Sequence, residues 1–239
     1  MKFKDYYDVA YAKLLAGKIK FAYPAFDAEA FVADIRGTLD NQAFSERMDL
    51  FANALDTALP ENYQQSLTIL YGILGDALKA DSGMFSEGWW LWPVGRYVEK
   101  RGTQSVDASL AFIEALTKRF TGEFAIRPLL QHAPVAVMER METWSRHENV
   151  HVRRLSSEGL RIRLPWAKKL YVAIEHFELY VRVLTNLKND GSKFVQKSVA
   201  NNLHDLYKEY PDKAQQIVEM WLRDAPTEAT LWIVKHGTR

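Results

Sequence analysis

Two segments in the second half of the chain decide the fold: Val152-Arg-Arg-Leu-Ser-Ser-Glu-Gly159 and Val195-Gln-Lys-Ser-Val-Ala-Asn-Asn202. Each begins with an apolar residue followed by two polar or basic residues, and their first residues stand 43 positions apart. This spacing is typical of HEAT-like repeats, in which each pair of helices buries its apolar face against the next pair. Two matching segments are a weak repeat signal, so a compact helical bundle stays open as the alternative.

Apolar residues recur at helical spacing through most of the remaining chain. The helices predicted from these stripes span 44–59, 67–78, 110–120, 134–144 and 212–224. Pro60 separates the first two, and Pro134 suits the first turn of the fourth. No segment alternates with the period of two that a strand requires. The expected fold class is therefore all-α, a HEAT-like helical-repeat solenoid (an armadillo-type superhelix) with a concave basic face.

Length and charge narrow the domain organisation and the partners. With 239 residues, 48% of them hydrophobic, the chain can bury a full core. We expect one domain over 1–239, with N-terminal helices over about 1–120 and the repeats that carry the site over 121–239. The net charge is only +1, but 146–169 holds seven Lys and Arg against two Glu, which favours an anionic partner. No stretch approaches the ~20 apolar residues of a membrane span, so we expect a cytoplasmic protein with no membrane partner.

The absence of cysteine excludes disulfide scaffolds, thiolate zinc sites and cysteine nucleophiles. Histidine leaves one alternative, because His147-Glu-Asn-Val-His151 has the letters of the zincin motif HExxH. No convincing third ligand follows this motif and its flanks are basic, so a zinc hydrolase is the minor interpretation and we expect no metal. The chain also lacks a phosphate-binding loop and a nucleophile elbow.

Two groups of charged side chains could carry chemistry. If 151–161 is a helix, Arg154, Glu158 and Arg161 share the stripe opposite its apolar face, and Trp166 follows shortly after. The plainer interpretation is an exposed Arg154–Glu158 ion pair beside a tryptophan of the core.

The second group lies on the predicted helix 193–210, where Asp205 is expected to face outward among amides and lysines. Stacking the two helices as neighbouring repeats would bring Glu158 and Asp205 to one surface. The cations expected around that surface are Arg153, Arg154, Arg163, Lys193 and Lys197. Such a surface would suit a phosphate backbone, and a solvated charged face is the alternative.

Four motifs, in this order, resemble the AlkC/AlkD superfamily of DNA alkylation-repair glycosylases, and AlkC more closely. They are Thr121-Gly-Glu-Phe-Ala-Ile-Arg-Pro128, Ser156-Ser-Glu-Gly-Leu-Arg-Ile-Arg-Leu-Pro-Trp-Ala167, Phe194-Val-Gln-Lys-Ser-Val-Ala-Asn-Asn-Leu-His-Asp205 and Trp232-Ile-Val-Lys-His236. Many AlkC-like chains continue into an immunoglobulin-like domain, whereas this sequence stops at Arg239. The resemblance therefore implies the short form of the family.

The resemblance implies a monofunctional glycosylase, without a cofactor, that hydrolyses the N-glycosidic bond of cationic alkylated bases in duplex DNA, namely N3-methyladenine and N3-methylcytosine. The family's acidic residues fall on Glu123, Glu158 and Asp205, and its active-site tryptophan falls on Trp166. We expect Asp205 to activate water with Glu158 as its partner, although these roles could be exchanged. Without the resemblance, Glu123 would be interpreted as an acid at a helix start.

The same resemblance implies partners and a location. The predicted DNA-binding residues are Arg153, Arg154, Arg161, Arg163, Lys193 and Lys197. No protein partner is implied, and we expect a nucleoid-associated monomer of bacterial type. The alternative function is a non-catalytic HEAT-repeat scaffold that recognises unusual or damaged DNA, because helical solenoids also serve as binding surfaces.

Overall fold

The computed structural model describes residues 2–223 and 225–239, and its regular secondary structure in these residues is entirely helical. The prediction of an all-α protein is therefore confirmed. The α-helices are α1 (Val9–Ala22), α2 (Ala28–Thr38), α3 (Phe44–Ala58), α4 (Tyr63–Gly72), α5 (Trp92–Arg101), α6 (Val106–Thr117), α7 (Ile126–His132), α8 (Pro134–Trp144), α9 (Val150–Glu158), α10 (Val172–Glu175), α11 (Phe177–Leu187), α12 (Lys193–Glu209), α13 (Pro211–Arg223) and α14 (Glu228–Gly237). Within the described ranges no helix is long and apolar enough to cross a membrane.

The chain divides into two compact units, one ending at Thr121 and the other beginning at Gly122. The first unit contains α1 to α6 and has a core rich in aromatic rings. The Trp92 ring is 7% exposed and packs edge-on against Phe44, with 4.8 Å between the ring centroids. Trp89 and Trp90 are half-buried, and their carbonyl oxygens accept hydrogen bonds from the hydroxyls of Tyr7 and Tyr11. The tryptophan-rich segment therefore packs the first unit.

One predicted helix of the first unit is shorter in the structure. Asn62 caps the start of α4 by accepting a hydrogen bond from the Gln65 amide. The helix ends at Gly72 rather than at residue 78, and Gly75 adopts a φ of +72°. Glycine enters this region without the steric cost of a Cβ atom, so it allows the chain to turn away. The apolar spacing that continues to Leu78 therefore belongs to a turn, in which Leu74 is buried and Leu78 is half-buried, and not to a helix.

The second unit contains α7 to α14, and its helices pack as stacked antiparallel pairs. The three pairs are α8 with α9, α11 with α12, and α13 with α14. Between pairs, α8 packs on α11, α9 packs on α12, and α12 packs on α14. Val152 on α9 and Val195 on α12, the first residues of the two repeated segments, are both fully buried. The predicted helical-repeat fold is therefore confirmed.

The repeated helices begin at polar caps and approach one another closely. Asn149 caps α9, and Ser192 caps α12. A Cβ atom on Gly237 would lie 2.7 Å from the Cβ atom of Leu203, so this glycine lets α14 approach α12. The predicted helix 212–224 corresponds to α13, and its last predicted residue, Asp224, lies outside the described residues.

Candidate active site

A buried polar contact joins α9 and α12. The Ser157 and Ser198 hydroxyl oxygens lie 2.7 Å apart. The Asn202 side-chain amide donates to the carbonyl oxygens of Ser157 and Ser198, at 3.0 and 2.9 Å. The Tyr180 hydroxyl on α11 donates to Asn202 Oδ1 at 3.2 Å. Because buried polar groups need partners, this network holds the two helices in one register.

That register places Glu158 and Asp205 on the same side of the α9–α12 pair. One guanidinium group bridges them: Arg161 Nη1 lies 3.0 Å from Glu158 Oε1, and Arg161 Nε lies 3.0 Å from Asp205 Oδ2. Arg161 Nη2 donates to Asp205 Oδ1 at 3.3 Å, so the contact to Asp205 is bidentate. The predicted approach of Glu158 to Asp205 is therefore present in the structure.

Arg154 extends the contacts to the third predicted acid. Its Nη1 atom donates to Glu123 Oε2, and its Nη2 atom lies 3.3 Å from Glu158 Oε1. The Phe194 ring supports the guanidinium group, whose Cζ atom lies 5.1 Å from the ring centroid. Glu123, Arg154, Glu158, Arg161 and Asp205 thus alternate in charge, and we call them the ionic network. Glu123 lies in the turn before α7, not in its first turn.

The ionic network is buried, which corrects two expectations from the sequence. Glu158 is 5% exposed and Asp205 is 3% exposed, so Asp205 does not face outward among lysines. The Arg154–Glu158 pair is likewise no exposed surface pair, because both side chains lie inside the unit. Helix 150–158 also ends before Arg161, so Arg161 approaches the acids from the following turn rather than from the helix stripe.

Burial and pairing oppose each other in setting the charge of Glu158. Burial raises the pKa of the Glu158 carboxyl, but the charges of Arg154 and Arg161 and the hydrogen bonds from Ser198 and Arg161 outweigh it. The pKa of Glu158 is therefore lowered, and the carboxylate is ionised at neutral pH. Burial alone would lower the pKa of Arg161, but its bonds to Asp205 and Glu158 raise it.

Trp166 lies on the turn that follows α9, a few residues after Arg161 of the ionic network. Its side chain is 83% exposed, and its backbone has a φ of +62°, an uncommon conformation for a residue with a Cβ atom. The buried Arg127 stabilises this turn, because its guanidinium group donates hydrogen bonds to the carbonyl oxygens of Arg161 and Lys168 at 2.9 and 2.6 Å. Trp166 is thus an exposed aromatic side chain on a turn that Arg127 stabilises, and not a tryptophan of the core.

The six predicted DNA-binding cations fall into two groups. Arg154 and Arg161 belong to the ionic network, while Arg153 binds Asp190 and the carbonyl oxygens of His147 and Glu148. The exposed members are Arg163, Lys193 and Lys197. Arg163 pairs with Glu209 at 2.8 Å, and the Lys193 ammonium lies 4.4 Å from the Trp232 ring centroid. Three of the six cations are therefore buried or half-buried in the protein, and two of the three exposed ones also contact protein groups.

The HExxH-like segment does not form a compact ligand set. His147 Nδ1 accepts a hydrogen bond from the Asn149 amide at 2.8 Å. His151 is buried, with its ring edge-on to Phe194. In residues 2–223 and 225–239, no group of three His, Asp or Glu side chains is arranged to hold a metal ion.

Sequence reasoning missed three residues that support the site, namely Arg127, Ser198 and Asn202. All three lie inside the motifs that carry the family resemblance, but none belongs to the charged stripes that we used to select candidates. A buried polar residue at the inner edge of an apolar stripe was the available signal, because such a residue requires a partner on a neighbouring helix.

Comparisons with known proteins identify the family of this chain. A model of the DNA alkylation repair enzyme family matches residues 94–235. The Bacillus subtilis (strain 168) protein YhaZ is 33% identical over 237 residues, which cover 99% of this chain and 63% of YhaZ.

A solved structure also matches: the Pseudomonas fluorescens alkylpurine DNA glycosylase AlkC bound to DNA that contains an abasic site analog. It superposes with a TM-score of 0.87 at 32% identity, covering 100% of this chain and 64% of the AlkC chain. The chain thus spans just under two thirds of the length of each of these relatives. By the family match and by this similarity along its whole length, the chain belongs to the DNA alkylation repair enzyme family.

Proposed function

We propose that this protein is a monofunctional DNA glycosylase that hydrolyses the N-glycosidic bond of cationic alkylated bases, N3-methyladenine and N3-methylcytosine, in duplex DNA. The observation that carries the proposal is the buried ionic network, and the exposed Trp166 on the turn after α9 supports it. Burying three carboxylates costs free energy even when they are paired, so a pure DNA-binding surface has no reason to retain them.

The charge of the network suits a cationic base. Three carboxylates and two guanidinium groups leave a net charge of −1. In a site of reduced dielectric constant, a base that carries one positive charge is attracted, whereas a neutral base gains nothing. The lowered pKa of Glu158 keeps this charge in place at neutral pH.

The proposed reaction moves the positive charge from the base to the sugar. As the C1′–N bond breaks, its electron pair leaves with the alkylated base, which becomes neutral, and the deoxyribose gains oxocarbenium character. The ionised carboxylates of Glu158, Asp205 and Glu123 stabilise that charge. Water then bonds to C1′, and we assign its proton to Asp205, with Glu158 as the partner carboxylate. No lysine nucleophile takes part, so the product is an abasic site in an intact strand.

Trp166 and the exposed cations complete the proposed site. The exposed indole face of Trp166 would stack on the deoxyribose or on the cationic base, an attraction of ~2 kcal/mol when desolvated. Arg163, Lys193 and Lys197 would bind phosphate groups, because they are the exposed members of the predicted set. Arg154 and Arg161 instead hold the carboxylates, and Arg153 holds the loop before α9.

Single-turnover release of N3-methylcytosine or N3-methyladenine from duplex DNA tests the proposal. We expect wild type to release free base without strand cleavage, and Asp205→Asn and Glu158→Gln each to release it ~100-fold more slowly. Glu142→Gln is the matched control: Glu142 also receives two arginines, Arg146 and Arg182, but lies outside the ionic network. Its release rate should match that of wild type.

Binding to duplex DNA with an abasic-site analogue should be measured in parallel. If wild type binds this duplex but releases neither base, the protein is a DNA-binding scaffold and the proposed activity is wrong. If Asp205→Asn and Glu158→Gln release base as fast as wild type, the activity exists but the assigned carboxylates do not perform it.

A further inference from the structure

Ser198 is the polar group that approaches Glu158 from the neighbouring repeat. Its hydroxyl donates to Glu158 Oε2 at 2.6 Å, and Ser198 is 2% exposed. Glu158 Oε1 receives both arginines, so Ser198 supplies the contact to the other carboxylate oxygen. The serine therefore fixes the rotation of the carboxylate plane, which the arginines at Oε1 do not fix by themselves.

The direction of the hydroxyl bonds follows from the chemistry of the acceptor. An ionised carboxylate only accepts hydrogen bonds, so the Ser198 proton points at Glu158. The one Ser157 proton then has two acceptors within reach, Ser198 Oγ at 2.7 Å and the Arg154 carbonyl oxygen at 3.0 Å. Ser157 is fully buried on α9, and the Asn202 side-chain amide donates hydrogen bonds to the backbone carbonyl oxygens of both serines. The hydroxyl is thus held from both helices and does not rotate freely.

We infer that Ser198 is a positioning residue of the proposed glycosylase: packed against Ser157, it holds Glu158 in the one orientation in which the carboxylate faces the sugar. This inference rests on the proposed function. Ser198 acts through Glu158 and is itself buried, so it does not contact the DNA.

Among the described residues, three groups contact the Glu158 carboxylate, and a test of Ser198 must separate its neutral hydroxyl from the charges of the two arginines. Arg154 lies on the same helix, Arg161 on the following turn and Ser198 on α12. Asp205 and Glu123 act on it only through the two arginines. Ser198→Ala removes one neutral donor and leaves all of these charges in place. Ser198→Thr keeps a hydroxyl at the same position and serves as the conservative variant.

Ser156→Ala is the matched control. Like Ser198, Ser156 is a buried serine, but it lies on α9. Its hydroxyl donates a hydrogen bond to the Arg153 carbonyl oxygen at 2.7 Å and does not contact Glu158. A loss that follows from removing any buried hydroxyl would appear in both alanine variants. A loss that follows from releasing Glu158 would appear only in Ser198→Ala.

The first readout does not depend on activity. Carbon-13 NMR of the glutamate carboxyl groups, assigned with Glu158→Gln, follows the titration of Glu158 in the folded protein without DNA. Because a hydrogen bond to the charged form lowers a carboxyl pKa, we expect Ser198→Ala to move the Glu158 midpoint to higher pH. Ser198→Thr and Ser156→Ala should titrate with the wild-type midpoint. An unchanged midpoint in Ser198→Ala would overturn the inference.

The second readout is single-turnover release of N3-methylcytosine from duplex DNA between pH 3.5 and 8, a range that extends below the ordinary glutamate pKa. We expect Ser198→Ala to lower the rate at pH 7 by about tenfold or more. Release is lost as pH falls through the Glu158 pKa, so the acid limb of its profile should lie at higher pH than in wild type. Ser198→Thr should restore both. Equal rates and equal acid limbs in Ser198→Ala and wild type would sink the inference, whereas inactivity of wild type itself would contradict the proposed function instead.

Discussion

The two units of this protein differ in whether their charged side chains are buried. Among the described residues, every buried charged side chain lies in the second unit, and these residues are Glu123, Arg127, Arg154, Glu158, Arg161 and Asp205. In the first unit, ion pairs such as Arg96–Asp49 remain partly exposed, and the core is built from aromatic and aliphatic side chains. The comparison teaches that buried charge is concentrated in the unit that carries the candidate site, where pairing and hydrogen bonds offset the desolvation that makes buried ions costly.

Replacing a tryptophan is expected to give the largest difference between the units in the free energy of unfolding. Trp92→Ala should lower the free energy of unfolding by ~3–5 kcal/mol, because it opens a cavity in the first core. Trp166→Gly should leave the free energy of unfolding unchanged or raise it by about 1 kcal/mol, because glycine relieves the positive φ of an exposed residue. Urea titration followed by circular dichroism measures both. Similar losses in the two variants would contradict the assignment of Trp166 as an exposed residue outside the core.

Arginine provides the second contrast. Arg161→Met should destabilise the protein by about 3 kcal/mol or more, because it leaves Glu158 and Asp205 buried without their shared partner. Arg101→Met in the first unit should cost less than about 1 kcal/mol, since its partner Asp56 is 40% exposed.

Salt dependence of these urea titrations sharpens the arginine comparison. Raising the ionic strength screens exposed pairs more than buried ones. The cost of Arg101→Met should therefore shrink with added salt, while the cost of Arg161→Met should hardly change. Equal costs for both variants at low salt would show that the ionic network is not the buried, mutually dependent arrangement described above.

Glycine provides the smallest contrast. Gly17→Ala on the exposed face of α1 meets no atom within 4 Å and should stabilise the first unit by ~0.5–1 kcal/mol. Gly237→Ala should destabilise the second unit by ~1–3 kcal/mol, because its Cβ atom would crowd Leu203 and the Ala200 carbonyl oxygen. Thermal unfolding of the two variants checks the signs. A stabilising Gly237→Ala would mean that α14 does not need its close approach to α12.

The helices were the most predictable part of the structure. The start of α8 at Pro134 and the extents of α3 and α12 follow from apolar spacing, because a stripe of 3.6-residue period has to face a core. The end of α4 was not predictable in this way. Leu74 and Leu78 keep the helical spacing, but Gly75 leaves the helical region of backbone conformation. Spacing shows that a side chain is buried, not that the backbone reaching it is helical.

The residues of the candidate site could be predicted from the sequence, but their burial and their partners could not. Helical spacing put Glu158 and Asp205 on polar stripes, and the family resemblance added Glu123 and Trp166. Spacing also suggested that these stripes face solvent, which is wrong for Glu158 and Asp205. A stripe that is polar on an isolated helix can be covered by the next helix pair. Arg127, Ser198 and Asn202 were missed for the same reason, since their partners lie on other elements.

The sequence by itself determined the helical class, the repeat spacing and the identity of the acids, because these depend on residue order within one helix or on motifs along the chain. Only the tertiary structure decided that the acids are buried, that Arg154 and Arg161 bind them, and that Ser198 donates a hydrogen bond to Glu158. Arg154 and Arg161 lie close to Glu158 in sequence, but the contacts that join different elements link residues 31 to 44 positions apart, as Arg154 with Glu123 and Arg161 with Asp205. Their charge states and orientations arise only when the helix pairs stack, because removal from water is what makes each pairing necessary.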